Sequence, residues 1–227
     1  MMVNDEKTQL LGVNALQDRD REVYIRLENG KKILGQDTLK QLGFIFNKKP
    51  TVDAHLEEMS LKFRKRIWYL RHLKTAGLPL NDLLAMYRCF LLSVLDYALV
   101  VYGPMLSKDQ VKVLERLQSS ALKIIYGLKH SYRELLDLSG VETLCDRRQR
   151  LINKFILKSV KNEAITRSWF PTKEFVHHNL RKERIFEECF ARAERLYRSP
   201  LYTYRLRLNE IYIHQMNKED LTNTSQD

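Results

Sequence analysis

Few side chains in this sequence have a type and spacing that could perform catalysis. Asp18 and Asp20 come closest to the paired carboxylates that two-metal phosphoryl transfer requires. They lie in the charged run Gln-Asp-Arg-Asp-Arg-Glu, which is more typical of a solvated loop. His177-His178 and Cys189 lack a second ligand pair at zinc spacing, and no glycine loop leads into Gly-Lys-Ser/Thr. We therefore predict neither a metal site nor a cofactor in this chain.

Positive charge is the chemical property that the sequence does concentrate. The chain of 227 residues has 39 Lys+Arg against 28 Asp+Glu, which gives a formal net charge of +11. Residues 1–60 carry nine basic and ten acidic side chains, whereas residues 61–227 carry thirty basic and eighteen acidic ones. Clustered Lys and Arg attract phosphates and anionic headgroups. The second range therefore predicts a polyanionic partner, with nucleic acid as one candidate.

The densest basic stretch, residues 61–74, contains no acidic side chain. Apolar residues recur at spacings of three and four from Leu56 to Leu73, which predicts a helix ended by Gly77. Because helices commonly balance a basic face with acids, we interpret the basic positions as a phosphate-facing surface rather than a solvated one. The predicted nucleic-acid-binding residues are Lys62, Arg64, Lys65, Arg66, Arg71 and Lys74. For a second basic stretch, residues 147–161, both interpretations stay open.

Aromatic residues near the basic stretches have two interpretations. Trp68, Tyr69 and Tyr126 have rings that could stack on nucleobases. At helical spacing such residues are more often part of a hydrophobic core, and we assign all three to the core. The three cysteines are widely spaced, which does not indicate a disulfide framework and suits a reducing compartment.

The elements that must position these residues begin with short strands. Alternation over residues 23–27, followed by Asn29-Gly30, predicts a β-hairpin. A further single strand is predicted over Leu39–Phe46, in which Leu42 and Phe44 share one face. So few strands make a poor independent sheet, and their unpaired edges predict aggregation or a partner.

Helical periodicity begins at Val52. The segment Asn81–Tyr102 is apolar nearly all round and predicts a buried central helix ended by Gly103-Pro104. Arg88 and Asp96 divide this segment into pieces too short to span a membrane. Three later helix starts carry capping residues, which are Ser107 with Gln110, Ser131 with Glu134, and Thr143. The sequence thus predicts a mainly α fold with a small N-terminal antiparallel β-hairpin.

The motif Lys40-Gln-Leu-Gly-Phe-Ile-Phe-Asn, followed by Asp53-Ala-His-Leu, resembles the Leu-Gly strand and following helix in reverse transcriptases of non-LTR retrotransposons, the LINE and jockey-like mobile elements. The likeness rests on the order and spacing of several motifs and covers residues 1–215. Further segments that look like the family's post-palm helices and C-terminal segment are Arg66-Ile-Trp-Tyr-Leu-Arg71, Ser93-Val-Leu-Asp-Tyr97, Tyr102-Gly-Pro104, Leu114-Glu-Arg-Leu-Gln118, Ala121-Leu-Lys-Ile-Ile-Tyr-Gly127, Asp146-Arg-Arg148, Arg167-Ser-Trp-Phe-Pro171 and Tyr197-Arg-Ser-Pro200.

The resemblance implies roles for particular residues. Lys7, in the motif Val-Asn-Asp-Glu-Lys-Thr-Gln, would match the palm lysine proposed to assist the leaving pyrophosphate as a general acid. Leu42, Gly43 and Phe44 would match the primer-grip hairpin, which positions the primer end. The thumb of the family is a helical unit that follows the minor groove of the template–primer duplex. The implied fold is therefore a helical thumb-like bundle with a small palm remnant.

The resemblance also implies a division of the chain. Residues 1–50 would be a palm-end β remnant with the primer-grip-like hairpin, and residues 51–162 the helical thumb-like domain. Residues 163–216 would be a C-terminal helical extension, and residues 217–227 a frayed tail. The implied function is that of the C-terminal part of an RNA-directed DNA polymerase, which binds an RNA/DNA template–primer duplex through its basic helical face.

The sequence departs from the family at the residues of catalysis. The catalytic aspartates of the Tyr/Phe-x-Asp-Asp turn and of an earlier palm strand have no counterpart here. Without such carboxylates there is nothing to hold the two Mg²⁺ ions that the complete family enzyme uses. We therefore expect no polymerase activity from this chain alone. The palm and fingers of a parent polymerase are its expected protein partner.

A second hypothesis, of another class, is a helical protein-interaction module or an inert fragment of a gene model, with no nucleic-acid role. A membrane partner is not expected, because no predicted helix combines strong basicity with an exposed Trp/Phe face. Residues 1–7 contain no apolar h-region, which argues against secretion. The predicted location is intracellular, in the nucleus or the cytoplasm.

Overall fold

The computed structural model describes residues 8–13, 23–27, 30–49, 51–172, 185–187 and 197–223. Over these residues the fold is mainly α-helical with two small antiparallel sheets of two strands each, which confirms the predicted fold class. The chain forms two compact units. Unit 1 comprises residues 1–97 and 123–128, and unit 2 comprises residues 98–122 and 129–227. The boundaries predicted after residues 50, 162 and 216 come from the family resemblance and not from compactness. The two units do not test them, so they stay a prediction.

Unit 1 begins with the hairpin predicted from alternation. Strand β1 (Tyr24–Arg26) pairs antiparallel with β2 (Lys32–Leu34), and Ile25 lies opposite Ile33. Gly30 has a φ of +79°, a value that glycine adopts without steric cost. Its partner in the turn motif, Asn29, lies outside the described residues.

The strand that alternation predicted over Leu39–Phe46 is wrong, whereas a hairpin does lie at Leu42, Gly43 and Phe44, as the resemblance implied. The segment is a second hairpin, in which β3 (Thr38–Gln41) pairs with β4 (Phe44–Asn47). Leu42 and Gly43 form the two-residue turn, with φ values of +48° and +78°. Positive φ at both central positions is the signature of the turn that suits the twist of two antiparallel strands. The apolar alternation concealed it because a leucine rarely occupies the left-handed region.

The helices of unit 1 pack around the longest of them. Helix α1 (Asp53–Thr75) is followed by Gly77, whose φ of +85° ends it as predicted. Helix α2 (Leu80–Met86) then runs through a π-helical turn (Tyr87–Leu91) into α3 (Leu92–Asp96). The largest side chains that are fully buried in this unit are Phe63, Leu70, Tyr87 and Leu91.

The continuous central helix predicted over Asn81–Tyr102 is also wrong. The helical path ends at Asp96, because Tyr97 takes an extended conformation and Ala98 has a φ of +55°. Leaving the helix lets the Tyr97 hydroxyl donate a hydrogen bond to the carbonyl oxygen of Leu42 in the hairpin turn. Apolar composition predicted burial of the segment but not this break.

The regular elements in the described part of unit 2 are helices, beside an isolated antiparallel bridge between Thr172 and Phe186. Its elements are α4 (Leu99–Tyr102), a 3₁₀ turn (Gly103–Met105), α5 (Lys108–Tyr126, whose last turn belongs to unit 1), α6 (Tyr132–Ser139), α7 (Leu144–Val160), α8 (Glu163–Trp169) and α9 (Pro200–Asn223). Its core joins α7 and α9 through Ile156, Tyr204 and Leu208, with Phe170 and Phe186 packed against them. Among the described residues no single helix is both long and apolar enough to cross a membrane, although α2–α3 taken with α4 and its 3₁₀ turn reach the required length and composition together.

The predicted helix caps of unit 2 are present. The backbone N–H of Gln110 donates to Ser107 Oγ at 3.2 Å, and the N–H of Ser107 donates to Gln110 Oε1 at 2.8 Å. Ser131 and Glu134 form the same reciprocal pair at the start of α6. The hydrogen bond from the Ser131 N–H, and then that from the Ser131 side chain, lowers the pKa of the Glu134 carboxyl, because both stabilise its ionised form. Both boxes depend only on residues three apart.

The start of α7 combines a local cap with a distant one. Thr143 Oγ1 accepts from the N–H of Asp146 at 3.0 Å, as predicted. The two N–H groups before it, on Leu144 and Cys145, donate to the Glu115 carboxylate on α5 at 3.3 and 2.9 Å. The Tyr132 hydroxyl donates to the same carboxylate. A residue about thirty positions away thus completes this helix terminus.

Candidate nucleic-acid interface

The second hairpin places the three residues of the primer-grip resemblance in different environments. Leu42, at the tip of the turn, is 86% exposed. Phe44 is buried, and its ring lies 4.3 Å from the imidazole of His55, centroid to centroid. A Cβ built on Gly43 would lie 3.3 Å from the ring of Tyr97. Leu42 is therefore the one side chain of the three available to a ligand, while Phe44 anchors the hairpin.

A cavity of about 310 Å³ lies beside this turn, and α1 forms much of its wall. The Glu58 carboxylate at this cavity pairs with two lysines. Lys40 Nζ lies 2.7 Å and Lys62 Nζ 2.5 Å from Glu58 Oε1. The hydrogen bond from Lys40, and then that from Lys62, lowers the pKa of Glu58 to about 2. Burial lowers the pKa of His55 below its usual 6.5, so this imidazole is neutral at pH 7. Glu58 is thus the one carboxylate beside Lys40, Lys62 and Arg66, so the charged groups described at this cavity keep a net positive charge.

Half of the predicted phosphate-binding residues have partners within unit 1. Lys62 is paired with Glu58. The guanidinium of Arg66 donates to the carbonyl oxygen of Phe90 and, at 3.2 Å, to Ser93 Oγ. It also lies 4.2 Å from the centroid of the Phe90 ring. Lys74 Nζ donates to the carbonyl oxygen of Ile125 at 2.6 Å. These three cations serve the fold of unit 1 and are less available to a ligand.

The other three predicted residues, Arg64, Lys65 and Arg71, are exposed. Within the described part of the chain, nothing forms an ion pair or hydrogen bond with their charged groups. Residues two apart in an α-helix lie about 200° apart around its axis. Lys62 and Arg64 therefore cannot share one face, and the six predicted residues surround α1 instead of forming a single line.

The assignment of Trp68 and Tyr69 to the core is wrong. Trp68 is 51% exposed and Tyr69 is 53% exposed, whereas Tyr126 is half-buried. The buried positions of α1 are already filled by residues at i, i+4 and i+7, namely Phe63, Ile67 and Leu70. This complete apolar pattern was the sequence signal that the two aromatic residues between Ile67 and Leu70 belong to the outer side.

The exposure of Trp68 also removes the reason given for expecting no membrane partner. That argument required the absence of a helix with both strong basicity and an exposed Trp or Phe, and α1 combines the two. The absence of a membrane partner itself stays a prediction.

Most basic residues of the stretch left open by the sequence lie along one face of α7 and its C-cap, whereas the stem of Arg148 lies against Gly103. Arg147 and Arg150 both contact Glu142, with Arg147 Nη1 at 3.2 Å from Oε1 and Arg150 Nε at 3.1 Å from Oε2. The hydrogen bond from Arg150 lowers the pKa of Glu142. Farther along the helix, an open groove of about 750 Å³ is lined by exposed lysines, which are Lys154, Lys158 and Lys161.

Several residues singled out in the sequence lie outside the described residues, namely Lys7, Asp18, Asp20, His177, His178 and Cys189. Within the described ranges, no three His, Cys, Asp or Glu side chains are grouped closely enough to hold a metal ion. Cys89 and Cys145 are free thiols.

Comparison of this chain with models of protein families, with curated proteins and with solved structures gave no match.

Gly43 lies in the turn next to the cavity, and its positive φ predicts that a larger residue there destabilises the protein. Substitution by alanine is expected to destabilise unit 1 by about 2 kcal/mol, because positive φ is unfavourable for a Cβ and the neighbouring ring must also shift. Gly77→Ala is the matched control. It has the same sign of φ with nothing within 4 Å, so about 1 kcal/mol is expected. Urea denaturation measures both changes.

A double-mutant cycle separates the two causes at Gly43. In a Tyr97→Ala background the ring is gone, so Gly43→Ala is expected to cost no more than Gly77→Ala. An undiminished penalty in that background would contradict the proposed ring contact.

Proposed function

We propose that this chain is the C-terminal part of a non-LTR retrotransposon reverse transcriptase and that it binds template–primer nucleic acid through exposed cations of α1. The family part of the proposal rests on the order of motifs in the sequence. The binding part rests on one observation, which is that Arg64, Lys65 and Arg71 are exposed on a stretch with no acidic residue. Among the described residues, no acidic side chain forms an ion pair with any of these three cations.

The chemistry of these cations favours contact with phosphates. Lys and Arg neutralise phosphate charges and release bound counterions, which gives affinity without base sequence specificity. Arg64 and Arg71 are seven positions apart, which puts them on the same side of α1 about two turns apart, and Lys65 lies on the turn of Arg64. These cations can therefore contact one sugar–phosphate backbone. Leu42, exposed at the hairpin tip of the same unit, is a further candidate contact.

Polymerase chemistry is not part of the proposal for this chain by itself. The sequence has no adjacent pair of aspartates, and the described residues contain no cluster of metal-ligating side chains. Within the described ranges, the residues therefore do not fit the two Mg²⁺ ions of the complete family enzyme. Its role would be to hold nucleic acid for a catalytic centre on the palm of a longer protein.

The test is a triple charge reversal, Arg64→Glu, Lys65→Glu and Arg71→Glu. With one phosphate contact per cation, the logarithm of the affinity for an RNA/DNA duplex should fall against the logarithm of salt concentration with a slope of about −3. The triple variant is expected to bind at least about tenfold more weakly at low salt, with a slope closer to zero. Fluorescence anisotropy of a labelled duplex measures both quantities.

A matched triple on α5, Lys108→Glu, Lys112→Glu and Arg116→Glu, controls for net charge. These three residues are exposed, like the α1 triple, and lie four positions apart on α5. Lys112 Nζ lies 3.0 Å from the Asp109 carboxylate, which already reduces the positive potential around them. A clearly smaller loss of affinity is expected. Equal losses in both triples, or an affinity insensitive to salt, would leave the basic surface of α1 without a specific role and favour the protein-interaction hypothesis.

A further inference from the structure

The outer side of α1 carries an aromatic cluster that phosphate contacts do not use. We call Trp68, Tyr69 and His72 the outer aromatic cluster. The ring of His72 lies 3.7 Å from that of Trp68, and its Nδ1–H donates to the Trp68 carbonyl oxygen at 3.0 Å. Tyr69 meets Trp68 edge to face at 5.1 Å. These contacts hold the indole in place while half of its surface stays exposed.

The surroundings of Trp68 are unusual for an exposed tryptophan. In an α-helix, the neighbours of a side chain on the surface lie three and four positions before and after it. For Trp68 these positions are Arg64, Lys65, Arg71 and His72. Every neighbour along the helix is thus a cation or an imidazole, and the nearest acids in sequence are outside residues 61–74.

An aromatic ring surrounded by cations selects for a ligand that offers both a π face and negative charge. A partner protein with an aliphatic surface would contact the indole ring but leave the surrounding cations unpaired. A partner protein with an acidic surface would pair with the cations but make no use of the ring. A membrane-surface helix requires a wide apolar face, whereas here cations flank the ring on both sides. The bases inside a duplex are already stacked on one another, so only unpaired bases have free faces to offer.

We propose that the outer aromatic cluster is a stacking platform for an unpaired nucleobase of single-stranded RNA or DNA, with Lys65 and Arg71 contacting the adjacent phosphates. The proposal extends the proposed function, since it assigns the single-stranded part of a template to a site on the same helix. The base stacks on Trp68, and Tyr69 supports the indole from its edge.

The first test uses Trp68 as its own reporter. The sequence has two tryptophans, so a Trp169→Phe variant of the full chain leaves Trp68 as the sole indole. Adding an oligothymidylate is expected to quench its fluorescence, because a stacked base contacts the indole. An abasic oligomer of equal charge should bind without quenching. Binding of both oligomers with no change in Trp68 fluorescence would overturn the stacking platform.

The second test measures affinity. Trp68→Ala is expected to weaken binding of the oligothymidylate by about 5-fold to 100-fold, the usual range for one stacked base. Trp68→Phe keeps a ring and should retain most of the affinity. Neither change should alter binding of the abasic oligomer or the salt dependence. Leu138→Ala on α6, another exposed apolar residue at 53% exposure, is the control and should have no effect.

Other occupants of the platform give distinct results. A dimer that forms without nucleic acid and is lost in Trp68→Ala would assign this face to a second copy of the chain. Quenching or a blue shift with phosphatidylserine vesicles, but not with the oligomer, would assign it to a membrane. Either result would overturn the proposal. Salt-dependent duplex binding without oligomer quenching would reject the platform alone, whereas binding of neither nucleic acid would reject the proposed function as well.

Discussion

Replacement of Phe63 by alanine is expected to lower the free energy of unfolding of unit 1 by about 3–5 kcal/mol. Phe63 has none of its surface exposed, and it lies on α1 between other fully or nearly fully buried residues, Met59 and Ile67. The substitution removes the ring from an apolar environment and leaves a cavity that neighbouring side chains fill only in part. Because α1 also carries the exposed cations and Trp68, the same change should weaken nucleic-acid binding.

The matched control for this prediction is Leu61→Ala. Leu61 lies two positions away on the same helix and is 49% exposed, so a change within about 0.5 kcal/mol is expected. Urea denaturation, monitored through the fluorescence of Trp68 in a Trp169→Phe background, measures the unfolding of unit 1. A loss for Phe63→Ala no larger than that for Leu61→Ala would show that α1 does not pack through the face described here.

Substitution of Glu115 by alanine is expected to destabilise unit 2 by about 3 kcal/mol. The carboxylate accepts from the N–H groups of Leu144 and Cys145 and from the Tyr132 hydroxyl, so its removal leaves all three donors without this partner. Partly buried donors that lose a charged acceptor carry a large desolvation cost. The negative charge at the N-terminus of α7 is lost as well.

Two further substitutions divide this effect into its parts. Tyr132→Phe removes one donor together with its hydrogen bond and is expected to cost only about 1 kcal/mol. Thr143→Ala removes the local cap of the same helix, for an expected loss of about 1 kcal/mol. The fluorescence of Trp169 in a Trp68→Phe background measures unfolding of this unit. If Glu115→Ala costs no more than Thr143→Ala, the distant cap contributes little.

The features that the sequence predicted well depend on residues close together in the chain. The capping boxes at Ser107 and Ser131 join residues three apart, and Gly77 ends α1 through its own backbone conformation. The apolar pattern of α1 likewise predicted its buried side. Local preferences of this kind act whatever the rest of the chain does.

The sequence predicted the candidate site only in part, because some contacts that shape it join residues far apart in the chain. All six basic residues lie on α1, but the partners of Arg66 and Lys74 are 24 and 51 positions away. Which cations stay available depends on those distant groups. Trp68 is a different case, because it was assigned to the core from its aromatic type although Phe63, Ile67 and Leu70 already complete the buried pattern of α1.

By itself the sequence determined a basic, mainly helical chain, the main helix starts and ends, and the stretch without acids that carries its candidate chemistry. The tertiary structure decided that Leu42 stands at a turn held by Tyr97, that Glu115 completes α7, and that Trp68 faces outward between cations. Helical periodicity and caps arise from contacts within one turn, so the sequence displays them directly. Long-range hydrogen bonds, and the cations and helix ends that they occupy, arise only when distant segments meet, so no local pattern encodes them.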